Sequence, residues 1–301
     1  MSTINFQELT KADKPLFDRY FRSNYHENSH FNFTNFYMWR EPYNVRWIEK
    51  DDILFVLANL DGQPMALQPF GAPERMEEAT ARLVQHFKET GETLFISDIE
   101  ESYAEVLRNF PGDIFRLEDD RDNYDYVYES EKLISLAGRK LHSKKNHLNA
   151  FRKAHPDAEY VPITKDIVDA CLKELDAWYA VRSATLGDDP WIADERRATE
   201  EVLRDFDFYQ LKGGAIRLDG RVIAFTFGEQ LNTDTAVVHV EKADPNIRGA
   251  YPAINQGYVS HEWSHLPLIN REEDMGLEGL RKAKESYKPV KLIKKYNAWL
   301  K

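Results

Sequence analysis

The chain has 301 residues, 42% of them hydrophobic and 13% aromatic, enough to fold throughout and a length that suits two domains better than one. Its formal net charge of −11 argues against general nucleic-acid binding, and its one cysteine excludes an internal disulfide and a cysteine-based zinc site. No run reaches the roughly 18 to 20 apolar residues of a membrane span and the N-terminus lacks a secretory apolar core, so the cytoplasm is the expected location.

In chain order, residues 12–25 read as a helix with Asp13 as N-cap and Pro15 in the first turn. An aromatic stretch follows with Phe31, Phe33, Phe36, Tyr37, Trp39, Tyr43 and Trp47; it reads as helix-to-sheet packing rather than a stacking surface. Alternation predicts strands over 44–49, 53–59 and 64–70, with Asp61-Gly62 as a hairpin turn. A helix over 73–90 is stopped by Gly91, and a strand at 93–96, a helix over 100–109 and short strands near 114–117 and 124–128 follow.

Residues 130–155 read as one helix stopped by Pro156. A strand at 159–163 precedes a long helix over 165–186, in which Cys171 is expected as buried filler rather than a catalytic thiol. The loop 186–191 leads to a helix capped by Asp194 and running to 205. Three alternating strands, 209–218, 222–230 and 235–242, form an antiparallel meander turned by Asp219-Gly220 and by 232–234. A helix over 250–263, a strand at 267–270, a helix over 277–287 and a strand over 290–296 close the chain. The second half repeats the layout of the first, which gives a mixed α/β fold with domains at 1–129 and 130–301.

Positive charge is concentrated in two places. Residues 138–153 carry Arg139, Lys140, Lys144, Lys145, Arg152 and Lys153 with no acid, and residues 281–301 carry eight Lys and Arg against Glu285. One such run is ordinarily a solvated helix face; two flanking one domain point to an anion, phosphate above all.

The order of the second half resembles the GNAT acyltransferase fold, so the chain is expected to hold two tandem GNAT-like domains. The resemblance implies a phosphate-bearing acyl donor in the splay between the fourth and fifth strands, with phosphate received at the loop opening the next helix. Here that loop is 246–251, where Gly249 permits close backbone approach, Arg248 adds charge and Tyr251 follows; it holds less glycine than the usual acetyl-CoA loop. Two longer stretches are more specific. LISLAGRKLHSKKNHLNAFRK (133–153) and INREEDMGLEGLRKAKESYKPVKLIKKY (269–296) are similar to segments of a bacterial family named for the C-terminal catalytic region of phosphatidylglycerol lysyltransferase. That family is related to the Fem-type aminoacyltransferases. The resemblance implies transfer of an aminoacyl group from aminoacyl-tRNA to an amine or hydroxyl, on a small-molecule, peptide or lipid-headgroup acceptor. The characterised lysyltransferases add a multi-span membrane domain that this sequence lacks.

The site residues follow from both readings. Arg139, Lys140, Lys144, Lys145 and Asn146 are candidates to hold the 3′ end of tRNA or the pyrophosphate of CoA. Arg271, just past the short strand, is a candidate to bind the donor, and Arg281 and Lys284 are placed to neutralise donor phosphate or form the exposed face of their helix. Asp274 either binds a donor amino group and accepts a proton or caps the helix after it. Tyr287 is placed to protonate a leaving group, or packs a helix end. Glu241 and His239 alternate on one strand and so are expected on one sheet face, where Glu241 is a candidate base. No metal is expected, and no permanently bound cofactor; the donor is aminoacyl-tRNA or acetyl-CoA. An acyl-CoA N-acyltransferase and a non-catalytic tandem-GNAT binding protein are the alternatives.

Overall fold

A computed structural model describes residues 6–60, 62–186 and 190–301. The turn residue Asp61 and most of the expected loop after Leu186 lie outside them. Fourteen strands are described: β1 (Gln7–Glu8), β2 (Arg46–Lys50), β3 (Ile53–Leu60), β4 (Gln63–Leu67), β5 (Phe95–Ile99), β6 (Phe115–Asp119), β7 (Asp125–Glu129), β8 (Glu159–Pro162), β9 (Lys212–Leu218), β10 (Arg221–Gln230), β11 (Thr235–Ala243), β12 (Leu268–Asn270), β13 (Lys291–Ile293) and β14 (Tyr296–Leu300). They form two seven-stranded sheets, ordered β1-β2-β3-β4-β5-β14-β6 and β13-β7-β12-β11-β10-β9-β8.

The chain divides into two compact units, 1–125 with 293–301, and 126–292. This division departs from the expected one at its end. The strand expected over 290–296 is two strands: β13 edges the second sheet, whereas β14 inserts between β5 and β6 of the first. Between them Lys295 is fully buried and forms a 2.8 Å ion pair with the equally buried Asp125, whose carboxylate also takes the amide and hydroxyl of Ser29.

In the first unit, α1 (Lys14–Ser23), α2 (Phe33–Met38), α3 (Met76–Thr90) and α4 (Glu101–Arg108) pack the sheet. The aromatic stretch is interior: Phe21 stacks on Phe36 at 5.5 Å, Phe31 meets Phe70 edge-on at 4.8 Å, and Phe31 and Phe33 are buried. Gly91 ends α3 in the left-handed region, φ 77°, which its missing Cβ permits.

The second unit holds α5 (Ser130–Ser135), α6 (His142–Ala154), α7 (Lys165–Leu186), α8 (Pro190–Arg204), α9 (Phe206–Tyr209), α10 (Ala250–Glu262) and α11 (Glu278–Glu285). The single helix expected over 130–155 is broken. Leu136 (φ 46°) and Gly138 (φ 93°) are left-handed, and a 3-10 turn, Arg139–Leu141, restarts it as α6. The strand expected from 209 begins at Lys212, because α9 ends in a left-handed Gln210. The meander β9-β10-β11 is antiparallel, as expected, and β12 joins β11 in parallel. Behind it α10 packs on α5, α6 and the sheet, around Trp263, Tyr258 and Ile254. Cys171 is buried on α7, and burial pushes its thiol up to about 12, which makes it inert at neutral pH.

Candidate active site

The parallel pair β11·β12 is short. It matches Thr235 with Leu268, Ala236 with Ile269 and Val237 with Asn270, and then the strands part. Beyond that point side chains replace the backbone ladder. Arg271, the residue after β12, donates to Glu241 Oε1 at 2.9 Å, and Glu272 meets His239 Nδ1 at 2.9 Å. The gap of the expected splay is therefore present and is crossed by two ion pairs.

His239 and Glu241 do not alternate regularly. In the β10·β11 ladder Phe227 faces Val240 and Gly228 faces Val238, so His239 is an extra, bulged residue. A Cβ at Gly228 would stand 1.9 Å from the Val237 carbonyl oxygen, so glycine there lets the strands close up around the bulge. The bulge changes which residues share a face. Glu241 reaches Asn255 in the middle of α10, which donates to Oε2 at 2.8 Å, whereas His239 lies between Glu272 and Glu229, the latter at 3.2 Å. Burial works against the imidazolium, but the two carboxylates outweigh it and hold its pKa at about 9.

Around Glu241 the structure gathers Arg271, Asn255, Tyr287 and Lys144. The Arg271 guanidinium lies 4.8 Å from the Tyr287 ring centre, and the Lys144 ammonium 4.3 Å from the same ring. Burial, and then the Arg271 charge, lower the Lys144 pKa. Burial pushes the Tyr287 hydroxyl up to about 12. Two polar atoms here, Arg271 Nη1 and Asn255 Oδ1, are buried with no hydrogen-bond partner. Such atoms cost free energy unless something else pairs them, and that marks a place for a polar ligand.

The remaining candidates are placed otherwise. Asp274 is buried and its carboxylate is committed: Arg281 grips it with Nε and Nη2 at 2.9 and 2.7 Å, Tyr126 donates at 2.6 Å and the Gly276 amide at 2.9 Å. Burial opposes ionisation, but these donors bring its pKa to about 2. Lys284 is buried too, its ammonium on the carbonyls of Arg271 and Glu273. Asp274, Arg281 and Lys284 thus hold the 271–276 turn in shape. Arg248 approaches His147 at 3.5 Å, and Tyr251 accepts a 2.9 Å bond from the Trp178 indole. A Cβ at Gly249 would stand 2.7 Å from the His147 carbonyl oxygen, so this glycine serves the close approach of α10 to α6. Arg139, Lys140, Lys145 and Asn146 are exposed around the start of α6. Sequence reasoning missed Asn255, which sits in an apolar helix with nothing in its neighbours to set it apart. Among the described residues no cluster of His, Cys, Asp and Glu is placed to hold a metal ion.

The first unit has a comparable parallel pair, β4·β5, matched only at Ala66 with Ile96 and Leu67 with Ser97. Its strand ends are tied by the unit's own chain: Glu100 accepts the amides of Glu27 and Asn28 at 2.8 and 3.0 Å and meets His26 at 2.7 Å, and its own amide donates to Gln68. This leaves the second unit's gap as the candidate site.

A family model for the C-terminal region of phosphatidylglycerol lysyltransferase matches residues 22–299. Among solved structures, a conserved protein of unknown function from Bacteroides thetaiotaomicron is 34% identical, with a TM-score of 0.92 over 99% of this chain and 100% of that one. L-PGS from Bacillus licheniformis gives a TM-score of 0.62 at 13% identity, covering 85% of this chain and 83% of its own. FemX gives 0.62 at 9% identity over 99% and 98%. At such identity the likeness shows the fold, two tandem GNAT-like domains. An uncharacterized Mycoplasmoides gallisepticum protein, MYCGA3080, is 28% identical over 174 residues, a match that spans 57% of this chain and 54% of that protein. The chain belongs to the family of the phosphatidylglycerol lysyltransferase C-terminal region.

Proposed function

We propose that this chain moves an aminoacyl group from aminoacyl-tRNA to an amine or hydroxyl acceptor in the gap between β11 and β12. The observation that carries the reading is the pair of buried, partnerless atoms beside Glu241, Arg271 Nη1 and Asn255 Oδ1. An aminoacyl ester undergoing attack supplies what each lacks: a developing oxyanion for the guanidinium and an α-amino N–H for the amide oxygen.

In the reaction an acceptor nitrogen or oxygen attacks the ester carbonyl carbon. The new C–N or C–O bond forms, the bond to the tRNA 3′ oxygen breaks, and a proton passes from acceptor to leaving oxygen. Each Glu241 oxygen keeps a second lone pair beyond its bond to Arg271 or Asn255, so Glu241 takes the proton. Tyr287, held in its hydroxyl form by burial, stands beside it to give one to the leaving oxygen. The exposed Arg139, Lys140, Lys145 and Asn146 receive donor phosphates, and Lys144 lies at the boundary between them and the site. Asp274 acts through the turn it holds.

Two features favour a tRNA ester over a CoA thioester. Gly249 is spent on helix packing rather than on phosphate. The Asp244 carboxylate already occupies the Asn246 amide at 2.9 Å, which puts a negative charge where a pyrophosphate would sit. Incubation with labelled aminoacyl-tRNA and amine acceptors tests the reading. We expect time-dependent transfer that Glu241→Gln slows about 100-fold or more. A melting shift of several degrees with acetyl-CoA, together with label that stays on the tRNA, would overturn the donor.

A further inference from the structure

The basic run over 138–153 ends in Arg152 and Lys153, which the proposed chemistry leaves aside. Arg152 stands at the mouth of a cavity of about 180 Å³ between α6, α10, β8 and β9. The cavity is separate from the gap at Glu241: α10 turns Asn255 to Glu241 and presents Ala253, Gln256 and Gly257 to the cavity. Its interior is apolar, with Leu148, Phe151, Ile216 and Ala253 buried along it. One wall is the Tyr160 ring, stacked on His261 at 4.3 Å and 11°. Two glycines make room for that ring. A Cβ at Gly214 would overlap the Tyr160 hydroxyl, and one at Gly257 would stand 2.9 Å from the Tyr160 Cδ2. Phe151 and His155, 5.1 Å apart, add a second aromatic edge.

The polar groups around the cavity are unevenly paired. Tyr160 donates its hydroxyl to Glu262 at 3.2 Å and Arg217 binds Glu159 at 2.9 Å, so both acids are engaged. Arg152 is held without being neutralised. It donates to Gln256 Oε1 at 3.0 Å, and Gln256 is itself tied to the Ile134 carbonyl at 3.2 Å. Among the described residues no carboxylate pairs with this guanidinium, and most of its N–H groups stay open to a ligand. A carboxylate is the group that a planar guanidinium receives with two parallel hydrogen bonds. An apolar cavity of about 150 Å³ is large enough for benzene, so this one has room for a single six-membered ring.

We propose that this cavity binds a small aromatic carboxylate of the benzoate class, with its ring against Tyr160 and its carboxylate on Arg152. The site stands whichever acyl donor the chain uses. Titration calorimetry of the full chain with benzoate, benzyl alcohol and acetate tests it. Benzoate should bind saturably and about fivefold or more tighter than benzyl alcohol, with acetate weaker than both. Arg152→Gln, at an exposed side chain, should bring benzoate down to the level of benzyl alcohol and leave the melting midpoint in place. Ala253→Leu fills the cavity from α10 and should abolish binding of both rings. A second variant covers loss of folding: Ala158→Phe, at the half-buried rim, blocks the same space from outside the core and should weaken both rings likewise. No saturable binding of benzoate, or equal affinity for benzoate and benzyl alcohol, would overturn the proposal. So would benzoate binding that Arg152→Gln and Ala158→Phe leave unchanged, since the ring would then sit elsewhere on the chain.

Discussion

Asp274 and Glu241 are both buried or nearly so, and the structure gives these two carboxylates opposite chemistry. Asp274 has donors on both oxygens and a pKa of about 2, so it is a poor proton acceptor at neutral pH; Glu241 has two donors and two open lone pairs beside two unsatisfied polar atoms. We expect Asp274→Asn to lower stability by about 2 kcal/mol in urea unfolding, a buried pair discounted because the Arg281 side chain is 30% exposed. Its activity should fall only with the order of the turn, whereas Glu241→Gln, which also leaves the buried Arg271 without its anion and lowers the melting midpoint, should lose far more activity than its loss of folded protein accounts for. His239 offers a pH test. Its folded pKa of about 9 lies above the ordinary histidine value of 6.5, so its contribution is whole below pH 6.5 and is lost as pH rises through 9. Unfolding free energy should therefore fall between pH 7 and 9.5, and His239→Gln should flatten that fall.

At the scale of elements, the sequence was legible wherever one periodicity ran unbroken. The β9-β10-β11 meander, α3 stopped at Gly91, and the short strand before Arg271 were readable because alternation or helical spacing and a turn residue agreed. It was illegible where one residue changes the register. The bulge at His239 depends on backbone contact with Gly228, and no alternation pattern reveals which of two facing strands carries the extra residue. Leu136 is an apolar residue in a left-handed turn, which looks from its neighbours like one more helical position. The last strand was hidden for a different reason. KLIKKYNAWL reads as one apolar-basic run, yet it serves two sheets, and only the burial of Lys295 marks the break. That burial makes a prediction. Lys295→Met leaves Asp125 charged and without its cation in the interior, and should cost about 3 kcal/mol by denaturant unfolding; Lys295→Met with Asp125→Asn should recover part of it.

Across the whole molecule, the net charge of −11 and the two basic runs describe different surfaces. The C-terminal run does not form one phosphate-binding face. Arg281 is paired with Asp274, Lys284 with backbone carbonyls, Lys295 with Asp125, Lys301 with Asp113 and Lys282 with Glu278. The run over 138–153 keeps its charge outward: Arg139, Lys140 and Lys145 are exposed, and Lys144 alone turns inward to the Tyr287 ring. A polyanionic donor approaching an acidic body must therefore find this one basic segment, and its affinity should depend steeply on salt. Each phosphate neutralised contributes about −0.7 to −0.9 to the slope of log affinity against log salt. Lys140→Glu with Lys145→Glu should weaken tRNA binding and flatten that slope by about 1.5, measured by filter binding between 50 and 200 mM salt. The same pair of substitutions should leave the melting midpoint unchanged, because both side chains are exposed. A slope equal to the parent's would place the donor on some other surface of the chain.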